Sequence, residues 1–135
     1  MAQEKGRITG LGGIFLKCKD TEKLMAWYRD VLGIACSDYG AIFPYKDEGD
    51  AVGDAYNVWG PFKAETDYFK PSDKDFMINL RVDDLDAFLA RIRAKGVETI
   101  GDLEDHAEGR FAWVIDPEGT KIELWQQKPT ITKQV

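Results

Sequence analysis

The sequence predicts an α+β domain in which one βαβββ pattern occurs twice. Two apolar, β-branched stretches, Ile8–Cys18 and Phe76–Val82, are typical of strands, and each is followed by an aspartate suited to cap a helix. Aligning Asp20 with Asp84 gives an offset of 64 residues (84 − 20), at which the ends of the two strands also align. An internal repeat at this spacing indicates two similar modules, each with a strand, a helix and three further strands.

In the first module, Asp20 is predicted to cap a helix that ends at Gly33, because glycine favours the left-handed conformation that follows many helices. Apolar side chains recur between these residues at helical spacing: Leu24, Tyr28, Val31 and Leu32. Three shorter strands are predicted at residues 34–39, 41–45 and 55–59, with residues 46–50 as a polar turn.

The second module repeats this order. Asp83 or Asp84 is predicted to cap a helix that ends at Gly96, and the apolar face of this helix consists of Leu85, Phe88, Leu89 and Ile92. Strands are predicted at residues 97–103, 110–115 and 121–126, with residues 116–119 as the last turn. The expected organisation is a single domain over residues 1–135, with modules at 8–60 and 76–127, a connector at 61–75 and a tail at 128–135.

Composition and charge exclude several classes of function. The chain has 18 Lys and Arg against 24 Asp and Glu, a net charge of −6, and lacks a basic run, so it is a poor candidate for binding nucleic acid or an anionic membrane. The single histidine, His106, excludes metal sites built from two or three histidines of one chain. The two cysteines form no disulfide framework, and the first residues lack the apolar core of a signal peptide, so we expect a cytoplasmic protein.

Four segments carry a resemblance to a known family. They are GIFLKCKD at residues 13–20, WYRDVLG at 27–33, RVDDLD at 81–86 and DPEGTKIELW at 116–125. Together they make the chain similar, over residues 8 to 127, to the vicinal oxygen chelate superfamily of glyoxalases, bleomycin-resistance and fosfomycin-resistance proteins and extradiol dioxygenases. The resemblance implies two βαβββ modules that form a cupped mixed sheet around a cleft, and a homodimer.

Alternation along the strands predicts which side chains face this cup, because successive residues of a strand point to opposite faces. The purely apolar sets, such as Ile14, Leu16 and Cys18, are expected beneath the helices. The mixed sets are expected to face the cup, and they comprise Phe15, Lys17, Met77, Asn79, Arg81, Lys121, Glu123 and Trp125. Of these, six are candidate ligand-binding residues: Phe15, Lys17, Asn79, Arg81, Glu123 and Trp125. Alternatively, the charged side chains are simply solvated, and Trp125 belongs to the core or to a dimer interface.

The resemblance also implies where a metal would bind. Metal-dependent members of the superfamily place a Glu at the position of Glu123, a His at that of Gly13, and a His, Gln or Glu at that of Met77. Glycine has no side-chain donor, and a thioether is a poor ligand for the metals of these enzymes. We therefore predict no metal and no cofactor, and we expect a buried Glu123 to pair with Arg81 or Lys17.

Two other groups of residues leave their roles open. An aromatic cluster around the connector, at residues 59–62 and 67–69, either walls the cleft or packs in a dimer interface. His106 lies in an acidic stretch and is interpreted as a solvated loop residue, and Cys18 is expected to be buried.

The function predicted from these features is binding of a small organic molecule without a catalytic metal, as in resistance proteins that sequester a compound. Trp125 offers a stacking face to an aromatic or heteroaromatic ligand, Arg81 offers a fork for a carboxylate or phosphate, and the acidic net charge suits a cationic ligand. Two alternatives remain: a metal-dependent lyase, isomerase or dioxygenase of the glyoxalase type, and a regulatory or interaction module with a vestigial cup. The sequence assigns no catalytic residue and leaves open whether the protein is an enzyme.

Overall fold

The structure is a computed structural model and describes residues 5–44 and 55–128. Within these residues it contains ten elements, in the order β1 Ile8–Cys18, α1 Thr21–Asp30, β2 Cys36–Ser37, β3 Gly40–Pro44, β4 Tyr56–Lys63, β5 Phe76–Val82, α2 Leu85–Ala94, β6 Glu104–His106, β7 Gly109–Ile115 and β8 Lys121–Gln127. The predicted α+β fold with two βαβββ modules is confirmed. The predicted turn at residues 46–50 and the end of the preceding strand at Tyr45 lie outside the described residues.

One eight-stranded sheet joins the two modules, in the order β2-β3-β4-β1-β5-β8-β7-β6. Within each module the first strand pairs in parallel with the last, and the remaining pairs are antiparallel. The modules meet where β1 pairs antiparallel with β5. The order on one side of this seam mirrors the order on the other, as the repeat in the sequence predicts.

The sheet curls around its inner face. Two strands lie between β4 and β8, so at about 4.8 Å per strand a flat sheet would hold β4 and β8 roughly 14 Å apart. The ring centroids of Tyr56 on β4 and Trp125 on β8 are nevertheless only 5.3 Å apart. This contact is possible because the two halves of the sheet turn towards each other, which produces the expected cup.

The predicted helix boundaries are confirmed by their caps. Asp20 accepts a hydrogen bond from the Lys23 backbone N–H at 3.0 Å, and Asp84 accepts one from the Ala87 N–H at 3.1 Å. The glycines after the helices, Gly33 and Gly96, adopt φ angles of 74° and 90°. These left-handed conformations explain why glycine follows both helices.

The predicted end of the first module at residue 60 differs from the end of its last strand. β4 continues through Gly60 and Pro61 to Lys63, paired with β1. A proline normally interrupts a sheet because it cannot donate a ladder hydrogen bond. The pairing of β3 with β4 ends at Trp59, so Pro61 lies where β4 has lost one of its two neighbours and can tolerate the missing donor.

Two of the predicted strands are wrong in length or position. Only Cys36–Ser37 of the predicted strand 34–39 forms ladder pairs. The predicted strand 97–103 is irregular, and the true strand β6 is the polar segment Glu104–His106. The apolar residues Ile100 and Leu103 instead turn into the core, and the Ile100 N–H donates to the Trp113 carbonyl at 2.8 Å.

Two apolar clusters form on opposite faces of the second module. Beneath α2 lie the buried Val82, Leu85, Leu89, Ala112 and Leu124. On the inner face Phe69, Met77 and Trp113 form the second cluster.

The first module is covered less well on its outer face. Helix α1 has no buried residue, and Ile14, which was expected beneath the helices, is 45% exposed. Cys18 is half-buried, whereas the sequence predicted a buried residue. No described helix is long and apolar enough to cross a membrane.

Candidate functional site

A row of residues crosses the three central strands on the inner face. Gly13 on β1 lies opposite Asn79 on β5, and Asn79 lies opposite Glu123 on β8. Directly opposed residues share a face of the sheet, so Asn79 and Glu123 project into the cup side by side. Both are almost completely buried, with 2% and 3% of their surfaces exposed.

Glycine at position 12 makes room for the Asn79 side chain. The register of β1 against β5 shifts between Leu11 and Gly13, so Gly12 is an extra residue in the strand. A Cβ atom at Gly12 would lie 1.9 Å from Asn79 Oδ1, far inside van der Waals contact. The irregularity and the absent side chain together allow the amide to fill this space.

The carboxylate of Glu123 is held by three neutral donors. Asn79 Nδ2 donates to Oε1 at 2.7 Å, while the Tyr68 hydroxyl and Trp113 Nε1 donate to Oε2 at 2.5 Å and 2.9 Å. Hydrogen bonds to a charged acceptor contribute more than neutral ones, and they replace the water that burial removes. The prediction that Glu123 pairs with Arg81 or Lys17 is wrong, because three uncharged groups satisfy the carboxylate instead.

Tyr68 lies on the connector and reaches over the inner face of the sheet. Burial and the negative charge of Glu123 both raise the pKa of the Tyr68 phenol far above its ordinary value of 10. The hydroxyl therefore keeps its proton and acts as a donor to Glu123 throughout the physiological range. The Tyr68 ring stacks on Phe62, with centroids 5.5 Å apart and planes 16° from parallel.

Lys121 on β8 contacts Tyr68 and Trp113. Its Nζ donates to the Tyr68 backbone carbonyl at 2.6 Å and lies over the rings of Tyr68 and Trp113, 5.2 Å and 5.7 Å from their centroids. Desolvation lowers the pKa of this ammonium, and the nearby Glu123 carboxylate acts in the opposite direction. Lys121 is thus used structurally, to fix the connector against β8.

These side chains line a pocket of about 310 Å³ on the inner face. Most of the wall is aromatic or aliphatic, and it consists of Phe15, Tyr56, Val58, Phe62, Tyr68, Phe111, Trp113 and Trp125. The polar part of the lining is formed by Asn79, His106, Glu108 and Glu123. A mainly apolar cavity with a few convergent polar groups is typical of a small-molecule site.

Four of the six predicted ligand-binding residues line this pocket: Phe15, Asn79, Glu123 and Trp125. Lys17 does not line it, and its ammonium lies 5.8 Å from the centre of the Phe69 ring. Arg81 does not line it either, because its guanidinium donates to Gln127 Oε1 and lies 5.2 Å from the centre of the Trp125 ring. Arg81 therefore packs on the Trp125 ring and supports it.

Several lining residues were missed by the strand alternation or left undecided. Phe62 and Tyr68 of the aromatic cluster wall the pocket, while Phe69 belongs to the core. Phe111 and Trp113 on β7 alternate with Ala112, so the same periodicity could have found them. His106 is exposed, as expected, but it also lies at the pocket wall, where Nε2 is 2.8 Å from Glu104 Oε1.

The donor set does not fit the metal site that the superfamily resemblance implies. The Glu123 carboxylate oxygens already accept hydrogen bonds from N–H groups. Gly13 has no side chain, and Met77 is fully buried in an apolar cluster. Within residues 5–44 and 55–128, no group of three His, Cys, Asp or Glu side chains is arranged to hold a metal ion. A metal at Glu123 would have to displace hydrogen bonds without gaining further ligands from these strands.

Comparison with solved structures places the fold among enzymes with different activities. A Streptomyces coelicolor methylmalonyl-CoA epimerase variant in complex with 2-nitronate-propionyl-CoA is 18% identical, with a TM-score of 0.65 over 90% of this chain and 99% of that one. The Mycobacterium tuberculosis methylmalonyl-CoA epimerase is 20% identical, with a TM-score of 0.60 over 98% and 97%. A Legionella pneumophila structure described as an NAD-dependent benzaldehyde dehydrogenase is 16% identical, with a TM-score of 0.57 over 86% and 98%.

At these identities the likeness concerns the fold alone, and one fold supports many activities. A comparison with curated proteins finds no match. The sequence profile of the Glyoxalase/Bleomycin resistance protein/Dioxygenase superfamily matches residues 10–124, which is most of the chain. The repeat, the sheet order and this match together identify the chain as a member of the Glyoxalase/Bleomycin resistance protein/Dioxygenase superfamily.

Proposed function

We propose that this protein binds a small organic molecule in the aromatic pocket, without a catalytic metal. The observation that carries the proposal is the state of Glu123, the residue at the metal-ligand position of the family. Its carboxylate accepts three hydrogen bonds from neighbouring side chains and forms part of a largely aromatic wall. An aromatic or heteroaromatic compound suits this lining, because flat rings bury much apolar surface against aromatic faces.

A metal-dependent lyase, isomerase or dioxygenase of the glyoxalase type is the second candidate. The likeness of the fold to methylmalonyl-CoA epimerases favours it. The donor set argues against it, since Gly13 and Met77 offer no ligand of the kind such metals prefer. The third reading, a module with a vestigial cup, is disfavoured by a cavity of about 310 Å³ that the side chains leave open.

Elemental analysis of the purified protein separates the first two candidates. We expect well below one transition-metal ion per chain. A value close to one per chain that is lost in Glu123→Ala would favour the enzyme and contradict the proposal.

Ligand binding is tested by a small-molecule screen that follows tryptophan fluorescence, because Trp113 and Trp125 line the pocket. We expect aromatic compounds to change the emission, and Phe15→Ala to weaken their binding. Phe43→Ala is the matched control, since Phe43 is exposed and lies outside the pocket lining. Equal effects of the two substitutions would place the binding site elsewhere.

We also propose that the protein is a homodimer, with the outer face of the first module as the covered surface. Large apolar side chains are exposed there, and they include Ile14, Trp27, Val31 and Leu32. Exposed apolar patches of this kind often mark contacts between subunits. Sedimentation at micromolar concentration should give twice the chain mass of 15.3 kDa, and Val31→Glu should shift the protein towards that single-chain mass.

A cytoplasmic location is part of the same proposal. Cys18 and Cys36 are free thiols, which suits a reducing compartment. Fractionation of the native cells is the test, and recovery of the protein from an extracytoplasmic fraction would contradict this location.

A further inference from the structure

Among the described residues, the Asp, Glu, Lys and Arg side chains that line the pocket are all acidic. Glu108 and Glu123 line it, and Glu104 is joined to the lining residue His106. Among the described residues of the lining there is no lysine or arginine. Lys121, a neighbouring cation, lies against the Tyr68 and Trp113 rings and donates to a backbone carbonyl. Within the described lining, an anionic ligand would therefore meet carboxylates and no lysine or arginine.

The Glu123 carboxylate keeps capacity for one further donor. An ionised carboxylate has about four lone-pair positions, and three hydrogen bonds reach Glu123, two at Oε2 and one at Oε1. Asn79 Oδ1 has no hydrogen-bond partner, but it is fully buried against Gly12 and is closed to a ligand. The acceptor position that a ligand donor can reach is therefore the second one at Glu123 Oε1, where an N–H group can form a charge-assisted hydrogen bond.

From these observations we propose that the ligand of this pocket carries a protonated amine, which donates to Glu123 Oε1 while its ring packs on the aromatic wall. This inference rests on the proposed small-molecule binding and adds the class of compound. The three donors hold Glu123 in place before the ligand arrives, so little ordering is required on binding. The wall supplies aromatic faces, which attract cations through their quadrupoles. The inference also replaces the expectation that Arg81 binds a carboxylate or phosphate, since Arg81 does not line the pocket and donates to Gln127.

Three matched compounds test the charge preference: 2-phenylethylamine, 2-phenylethanol and 3-phenylpropionate. Each has one phenyl ring and a short arm, and at pH 7 they end in a cation, a neutral hydroxyl and an anion. Dissociation constants are measured by ligand-observed NMR up to millimolar concentration. We expect the amine to bind about tenfold or more tightly than the alcohol, as for a hydrogen bond to a buried charge, and the carboxylate to bind most weakly.

Glu123→Gln tests whether the charge of Glu123 causes the preference for the amine. The substitution keeps the size of the side chain and removes its charge, so the preference for the amine over the alcohol should fall to about twofold or less. Glu108→Gln is the second variant, because Glu108 is exposed and the change should leave folding intact. It should lower the affinity for the amine by about two- to threefold, as expected for a solvated charge, and the effect should shrink in high salt.

The possible results separate this inference from the proposed function. If the alcohol or the carboxylate binds as well as the amine, or if Glu123→Gln keeps the preference in a folded protein, the amine class is wrong while ligand binding stands. If none of the three compounds binds, the proposed function fails together with the inference. A preference for the amine that Glu123→Gln abolishes and Glu108→Gln reduces would support both.

Discussion

The two modules share one strand order but cover their outer faces very differently. In the second module α2 buries Leu85 and Leu89 against the sheet, and Asp86 on the same helix pairs with Arg110 on β7. In the first module α1 has no buried residue, and its closest ring contact is Tyr28 on Trp59, at 4.1 Å. A repeated pattern of caps and strands thus specifies the same backbone twice, while the side chains decide how firmly each helix is held.

The inner faces of the two modules also differ, and again the second module supplies more of the buried side chains. The second module supplies the buried polar row of Asn79 and Glu123 together with Trp113, whereas the first module contributes mainly apolar wall, such as Phe15 and Val58. The site is therefore built on the better-packed half of the molecule. The Glu123 carboxylate is thus positioned where the surrounding core is better packed, as a precisely held side chain requires. The following predictions test how far the contrast extends.

The largest expected difference concerns equivalent positions of the two helices. Position 89 corresponds to position 25 at the offset of 64 (89 − 64). Leu89→Ala should lower the free energy of unfolding by about 2–5 kcal/mol, because it leaves a cavity in the buried cluster. Met25→Ala should cost about 1 kcal/mol or less, since Met25 is only half-buried. Urea denaturation measures both. If both substitutions lower the free energy of unfolding equally, and if both losses grow with protein concentration, a second copy of the chain covers α1 in solution.

Arg81 and Lys17 form the second matched pair (81 − 64 = 17). Arg81 is 4% exposed, bonded to Gln127 and placed on the Trp125 ring, so Arg81→Ala should cost about 2–3 kcal/mol. Lys17 is half-buried over Phe69, and Lys17→Ala should cost about 0.5–1 kcal/mol. Glu123→Gln is expected to lie between the two, because it keeps one acceptor for its donors. Thermal melts of the three variants give the order of their stability losses. If Arg81→Ala melts like the wild type, Arg81 does not support the Trp125 ring.

The seam between the modules provides the third prediction. Gly12→Ala should destabilise the protein by about 1–3 kcal/mol, because its Cβ would lie 1.9 Å from Asn79 Oδ1 and displace the amide from Glu123. Gly101→Ala is the control: its Cβ meets nothing within 4 Å, and only its φ of 67° is unfavourable, at about 1 kcal/mol. Loss of ligand binding in Gly12→Ala but not in Gly101→Ala would tie the effect to the site. Wild-type stability of Gly12→Ala would mean that the amide can move without cost.

The smallest effect is expected in the pH dependence of stability. The hydrogen bond from Arg110 lowers the pKa of Asp86 below its ordinary 3.8. A carboxyl group whose pKa is lowered by folding stabilises the protein above its unfolded pKa, and this contribution disappears as the pH falls through the folded value. Asp86→Asn should therefore be slightly less stable than the wild type at pH 7, and the difference should shrink as the pH falls below 3.8 and disappear below the lowered pKa of the folded state. Asp30→Asn, whose partner Arg29 belongs to the same helix, should show a smaller difference. A difference in Asp86→Asn that persists at acid pH would point to packing instead of charge.

The sequence by itself determined the repeat, both helices with their caps, the two βαβββ modules and the membership in the superfamily. These features depend on local chemistry: aspartate accepts from free N–H groups, glycine adopts positive φ, and apolar residues alternate along strands. Of the residues that alternation assigned to the cup, Phe15, Asn79, Glu123 and Trp125 line the pocket, whereas Lys17 and Arg81 do not. Alternation could not place β6, because the apolar residues before it pack into the core. The edge strand that pairs with β7 is the polar segment that follows them.

Only the tertiary structure decided what holds Glu123. Tyr68 comes from the connector, 55 residues away in sequence, and Trp113 and Asn79 come from two other strands. The choice of these neutral donors over Arg81 depends on the direction in which each side chain leaves the curved sheet, and on Gln127 and Trp125 engaging the guanidinium. Alternation assigns a face to each residue but gives no distance within that face. The partners of a buried charge therefore follow from packing in three dimensions.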